Sequence, residues 1–361
     1  MGKFDKDRYL KELAIRFCIA RGFSPLLEVD VSSSSDLSTA QELLTDIDVL
    51  GVGLVVDGHL HRSIFDCKSG KMSAINRAFW ASGVVKYSGC DNAFVLLKGR
   101  AVNNHRISAL SIGVDLHDED SFKSLGETYG LGFHNDLTYL SNIDRWNALF
   151  ESYQTAGWAT DLYRLGHSIA PLSTQPWSTF RKIAADLRTA RGNVDPDKPS
   201  HVAIYCDILA GALLLWSSMG RDIRRFYQPS MSKAEFETLL RYYIWGGRES
   251  YQMRQDLMPR DGSGIPKTLE LPGWEHFVRF AGLIVAAPQE LFGCVDIARS
   301  LAMRLACGPD IAHDIELNAR IAANKRAAQF ILGLSDYMIA ACVLPRDLAI
   351  KVQRALSDVK A

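Results

Sequence analysis

The tripeptide Asp66-Cys67-Lys68 offers the most chemistry in this chain of 361 residues. At the end of an extended strand, residues two apart project to one face about 7 Å from each other, so a carboxylate and an ammonium share a site while Cys67 points away. Asp48, across a short hairpin, would bring a second carboxylate. That set suits hydrolysis of a phosphodiester. Carboxylates hold a divalent cation that polarises a phosphoryl oxygen and acidifies a water, and a neighbouring ammonium positions the nucleophile. A bare Asp-x-Lys is more often a surface ion pair, so the elements around it have to decide.

From Asp5 to Arg21 the apolar residues Tyr9, Leu10, Leu13, Ala14, Phe17 and Cys18 recur at helical spacing, and Gly22 supplies a stop. Residues 26–31 alternate as a strand and run into a loop at Ser32 to Ser35. Residues 47–56 and 59–67 are strand-like runs joined by Asp57-Gly58, a pair that favours a tight hairpin because it accepts positive φ. After Ser69-Gly70 the spacing predicts a helix from about Met72 to Tyr87, a buried strand over 93–99 and a further strand over 108–116. Asp118, Glu119 and Asp120 then suit the positive end of a helix dipole.

This order of helix, strand, hairpin, helix and strand carries Asp46-Ile47-Asp48-Val49-Leu50 and Phe65-Asp66-Cys67-Lys68. Over about residues 5–116 it resembles the PD-(D/E)XK, or restriction-endonuclease-like, nuclease superfamily. The resemblance implies an α/β N-terminal domain over 1–130, a mixed sheet flanked by helices. It implies Mg²⁺ (or Mn²⁺) held by Asp48, Asp66 and the backbone carbonyl of Cys67, with Lys68 assisting a water whose attack leaves a 5′-phosphate and a 3′-hydroxyl. Some members add a first-helix glutamate and a polar residue on the helix after the lysine; Glu12 and Arg77 match those positions. Glu12 also has Arg16 one turn on, which would make it half of a surface pair. Two departures from the commonest pattern are Asp46 in place of proline and Asp66 in place of glutamate. Asp46 either caps its strand or binds a second metal.

Register sets a condition. A two-residue turn at Asp57-Gly58 pairs Val56 with His59 and, counted back along both strands, Asp48 with Cys67, on the wrong face. A bulge at Gly51 or Gly53, or a three-residue loop reaching His59, would set Asp48 opposite Asp66 or Lys68 instead. One of these devices is expected.

Beyond about residue 135 strand signals nearly vanish and long apolar-periodic segments follow, at 141–154, 178–191, 202–219, 232–256, 274–285, 289–306, 311–334 and 336–357. An all-α C-terminal domain over 135–361 is expected, serving recognition, partner binding or self-association. Ser232 with Glu235 makes a capping box, and polar loops occupy 192–200 and 258–273. Arg221, Arg224 and Arg225 before Phe226 and Tyr227, with Arg241 and Arg248 near Tyr242, Tyr243 and Trp245, could grip phosphates and stack bases, or form polar faces of core helices. His59 and His61 share a strand face but have no third ligand in sight.

Formal charge is zero, 41 basic against 41 acidic residues, where a nucleic-acid enzyme is usually more basic. Seven cysteines stand apart without a Cys-x-x-Cys pair, indicating neither a disulfide framework nor a zinc site. The N-terminus lacks the apolar stretch of a signal peptide, Lys6 stands where myristoylation wants Ser or Thr, and the apolar run Ile208 to Trp216 is short for a bilayer. A cytoplasmic chain with no membrane partner is expected. The function these features suggest is a Mg²⁺-dependent endonuclease on nucleic acid, DNA favoured, in phage defence or repair. The alternative is a catalytically inactive nuclease-like module that binds nucleic acid or a protein partner.

Overall fold

A three-residue loop, Val56-Asp57-Gly58, closes the central hairpin. Val55 N–H donates to the His59 carbonyl at 3.0 Å and Gly58 N–H to the Val55 carbonyl at 2.8 Å. Gly58 supplies the positive φ, 80°, that the turn requires. The strands it joins, β2 (Leu43–Leu54) and β3 (Leu60–Lys68), pair antiparallel from Leu54 opposite Leu60 to Val49 opposite Phe65. One further step along both strands sets Asp48 opposite Asp66. A three-residue loop is therefore the device used, but it takes in Val56 and stops short of His59, and the two glycines of β2 serve packing instead of a bulge. A Cβ on Gly51 would lie 2.7 Å from the Cys18 sulfur, and one on Gly53 would lie 2.3 Å from the Phe23 ring.

The computed structural model describes residues 2–33, 42–70, 72–133, 136–258 and 268–359. Ser34 and Ser35 of the expected serine loop, and residues 259–267 of the second polar loop, lie outside the described residues. The N-terminal region is mixed α/β. Five strands lie in the order β1-β2-β3-β4-β5, with β1 (Ser24–Ser32) antiparallel to β2, and β4 (Asn92–Leu97) and β5 (Val114–Asp118) parallel to β3. Helix α1 (Arg8–Ala20) and helix α4 (Glu119–Thr128) meet one face through the rings of Phe17, Phe65, Phe94 and Phe122. Helix α2 (Ala74–Ser88) buries Ala74, Ala78, Ala81 and Val84 and is the crossover that makes β3 and β4 parallel.

The strand expected over 108–116 is a correction. Residues 108–110 belong to helix α3 (Asn103–Leu110), a turn follows in which Gly113 has a φ of 75°, and only Val114–Asp118 is extended. Ala109, Leu110, Ile112, Val114 and Leu116 suggest alternation, yet only Ala109, Val114 and Leu116 of them are buried.

A largely helical region follows, built around α9 (Pro199–Phe226) packed on α13 (Pro288–Cys307). Neighbours are α5 (Ile143–Ala156), α8 (Pro176–Ala190), α12 (Trp274–Ala286), α15 (Ala327–Cys342) and α16 (Asp347–Asp358). The expected 232–256 segment breaks at Gly246-Gly247, whose φ angles are 84° and 112°, into α10 (Lys233–Ile244) and α11 (Arg248–Asp256). The 311–334 segment breaks after α14 (Ile311–Ala323). Short helices α6 (Thr160–Arg164) and α7 (Ala170–Leu172), joined by a π-helical turn over Leu165–Ile169, were not foreseen.

At 28 residues, α9 runs well beyond the apolar core of Ile208 to Trp216 and is long and apolar enough to cross a membrane. Its most apolar 18-residue stretch is 94% buried inside the protein. Mid-helix Asp207 accepts from Arg299 at 3.0 Å and Tyr153 at 2.7 Å and contacts His167 at 2.6 Å. The helical region reaches the sheet where Asp30 N–H of β1 donates to the Ser168 hydroxyl at 3.1 Å.

Candidate active site

Asp48 stands where β2 passes from an exposed outer end into the core. Asp66 and Lys68 occupy the end of β3, on the face covered by α2. The start of α1 is tied to the same end, because the Asp7 carboxylate accepts from Ser69 N–H at 2.8 Å. Backbone pairing thus fixes each functional side chain before any side chain meets another.

The Lys68 ammonium lies 2.6 Å from Asp48 Oδ2 and 3.3 Å from Asp66 Oδ1. Cys67 N–H donates to the same Asp48 oxygen at 2.8 Å. From α2, Arg77 donates through Nε to Asp66 Oδ2 at 2.7 Å and through a terminal nitrogen to Asp66 Oδ1. Its guanidinium also stacks 4.0 Å over the Trp80 ring. The structure therefore brings Asp48, Asp66, Lys68 and Arg77 together. Side-chain exposure is 1% for Asp66, 6% for Asp48 and 16% for Lys68, so the cluster is largely desolvated with an opening on the lysine side.

Burial pushes the Asp48 carboxyl above its ordinary value, against the opposing pull of Lys68. For Lys68 burial works downward, but Asp48 and Asp66 override it and raise the ammonium above the ordinary lysine range. The Cys67 thiol is buried away from this face and pushed well up by that burial.

Two residues missed in the sequence complete the surroundings. Lys11 of α1 is fully buried, its ammonium paired with Glu28 and 3.9 Å from Asp48 Oδ1. Glu28 on β1 lies across from Asp48, between the pairs Leu27–Val49 and Val29–Ile47. Burial raises the Glu28 carboxyl, with Asp48 and Asp46 adding to the effect. Glu28, Asp46 and Asp48 bring ligand oxygens within 4.8 Å of one another and could hold a metal ion. The signal for Lys11 was its place on the apolar stripe of α1, one turn before Ala14 and two before Cys18. A lysine there reads as solvated until its carboxylate partners are known.

Glu12 goes elsewhere. It pairs with Arg8 at 3.1 Å and Arg16 at 3.8 Å and accepts from Ile143 N–H at 3.4 Å, joining α1 to α5. His61 contacts Asn92 Oδ1 at 3.2 Å, while His59 is exposed at the turn. Arg224 donates to the Val285 carbonyl at 2.8 Å and Arg241 to Glu270 at 2.6 Å, both within the helical region.

Set against protein-family models, curated proteins and solved structures, the chain shows no significant match. The case for chemistry rests on the site itself.

The residues fit a hard divalent cation by donor chemistry. Carboxylate oxygens of Glu28 on β1 and of Asp46 and Asp48 on β2 lie together, and Asp66 of β3 shares the Lys68 ammonium with Asp48. Asp48 Oδ1 has only the 3.9 Å contact to Lys11 among the ion pairs of the described residues, whereas both Asp66 oxygens are already held by Arg77.

Proposed function

We propose that this chain is a Mg²⁺- or Mn²⁺-dependent endonuclease of the PD-(D/E)XK kind, acting on nucleic acid with DNA as the favoured substrate. The observation that carries it is the convergence of Asp48 and Asp66, from neighbouring strands, on the Lys68 ammonium at 2.6 and 3.3 Å. Asp48, Asp66 and the Cys67 carbonyl would hold the ion. When bound, a divalent cation neutralises phosphate charge and acidifies water.

The chain's own groups supply the rest. Lys68, held charged by its two carboxylates, has N–H donors to orient a water and to meet charge developing on the phosphate. Cys67 N–H and Lys68 fix the Oδ2 side of Asp48 and leave Oδ1 on the other side. Arg77 sets the orientation of Asp66 and must release at least one of its oxygens for ligation. The helical region would serve recognition, partner binding or self-association, in a cytoplasmic defence or repair role.

The test is incubation of wild type and Lys68→Ala with plasmid, linear and single-stranded DNA and with RNA, in Mg²⁺ or Mn²⁺. Metal-dependent strand scission by the wild type and its loss in the variant are expected. No scission of any substrate by the wild type refutes it.

One observation favours a second reading. The double grip of Arg77 on Asp66 is also what a purely structural ion pair looks like, in a nuclease-like module that binds nucleic acid or a protein without cutting. Such a module would retain nucleic acid equally well in chelator.

A further inference from the structure

Lys11 has no exposed surface, although α1 also carries the exposed residues Tyr9 and Ala20. A buried ammonium persists only where carboxylates replace its hydration. Glu28 and Asp48 do so here, Asp48 through Oδ1 at 3.9 Å. Asp48 is therefore divided between two lysines, Oδ1 towards Lys11 and Oδ2 towards Lys68. Glu28 meanwhile holds a backbone φ of 48°, which a residue with a side chain adopts only under constraint. Its side chain pairs with Lys11. The two carboxylates Lys11 meets belong to the Glu28, Asp46 and Asp48 group whose spacing suits a cation.

We propose that Lys11 is a positioning residue acting as a built-in cation. Its ammonium takes the place of a second divalent ion among Glu28, Asp46 and Asp48, and so limits the site to one ion between Asp48 and Asp66. This rests on the reading above, that the site takes a divalent cation at all. The carboxylates Asp7, Glu28, Asp46, Asp48 and Asp66 surround the cations Lys11, Lys68 and Arg77, leaving two negative charges. One divalent ion cancels them. A second would enter without net attraction unless the Lys11 charge is gone.

The experiment counts Mn²⁺ bound per full-length chain, by calorimetric titration and by electron paramagnetic resonance of the free ion after equilibrium dialysis. Wild type is expected to take one ion and Lys11→Met two. Lys11→Met/Asp46→Asn should return to one, since Asp46 is exposed and its loss removes a ligand of the new site alone. Lys11→Gln, which keeps a donor for Glu28, is expected to match Lys11→Met and guards against loss of fold, checked by circular dichroism. Two ions on the wild type, one on both neutral variants, or two on the double variant would each overturn the role given to Lys11. A wild type that takes none overturns the divalent-cation reading itself.

Discussion

Arg77 holds both carboxylate oxygens of Asp66, with its Nε 2.7 Å from Oδ2. A carboxylate with 1% exposure needs such a partner, and removing one member of a buried pair typically destabilises by about 3–5 kcal/mol. Arg77→Ala is therefore expected to lower the melting temperature of the metal-free protein. Mn²⁺ should restore it, because the freed oxygens become available to the ion. Thermal melts with and without Mn²⁺ check this: the Mn²⁺-induced shift must be larger in Arg77→Ala than in the wild type. Equal shifts would mean that the ion never touches Asp66.

Lys68→Ala removes a charged donor from between two carboxylates and leaves every carboxylate in place. Cleavage is expected to fall about 100- to 1000-fold, the usual effect of losing one well-placed donor to developing charge. Mn²⁺ binding should survive. Asp66→Asn is expected to lose the bound ion, and Asp46→Asn to keep it. Calorimetric titration of the three variants separates them, and an ion lost with Asp46 but not with Asp66 would relocate the site.

Much of this centre was legible because strand periodicity and one dipeptide carry it. Asp66 and Lys68 had to share a face, and Asp48 could join them only through a bulge at Gly51 or Gly53 or a third loop residue; the loop takes one, Val56 where His59 was expected. Glu28 and Lys11 were hidden for a physical reason: each is a charged residue read singly as solvated, and buried Lys11 is matched by half-buried Glu28 and by Asp48 only in the folded chain. Arg77 was locatable from the helix after Lys68, but its partner on Asp66 was not, since the sequence does not give the azimuth of α2 on the sheet. The strand misread over 108–112 shows the same limit, because apolar residues on an exposed helix face mimic alternation.

Asp118 ends β5 and caps α4, accepting from Ser121 N–H at 2.9 Å, Ala101 N–H at 3.2 Å and Arg106 at 2.5 Å. Burial works against its charge, but these bonds, Ser121 foremost, hold the carboxyl down at about 2. A carboxyl depressed on folding contributes stability above its unfolded value near 4, and that contribution is lost as pH falls through about 2. Asp118→Asn keeps an acceptor for the cap but loses the charge opposite Arg106 and the helix dipole, a difference of about 1 kcal/mol at neutral pH. Urea unfolding of both proteins across pH should show that gap constant above pH about 4 and closing towards pH about 2. A gap independent of pH would show that the charge is not its source.

Deep in the helical region, burial works to raise the Asp207 carboxyl, and His167, Arg299 and Tyr153 overcome it to hold the group below its ordinary range. Arg299 is itself fully buried and has Asp207 as its carboxylate partner. Asp207→Asn would leave that guanidinium without a countercharge, a loss of about 3–5 kcal/mol that should appear as a large drop in the urea midpoint. Removing both charges is a different matter, since an apolar pair of similar volume is often as stable as the ion pair it replaces. Asp207→Asn/Arg299→Met is accordingly expected to recover most of the loss. A double variant as unstable as the single one would place the damage in packing around Tyr153 and His167 instead. Ser168, next to His167, bonds Asp30 of β1, the strand that carries Glu28. Hydrogen exchange of the β1 amides should therefore quicken in Asp207→Asn and return towards wild type in the double variant.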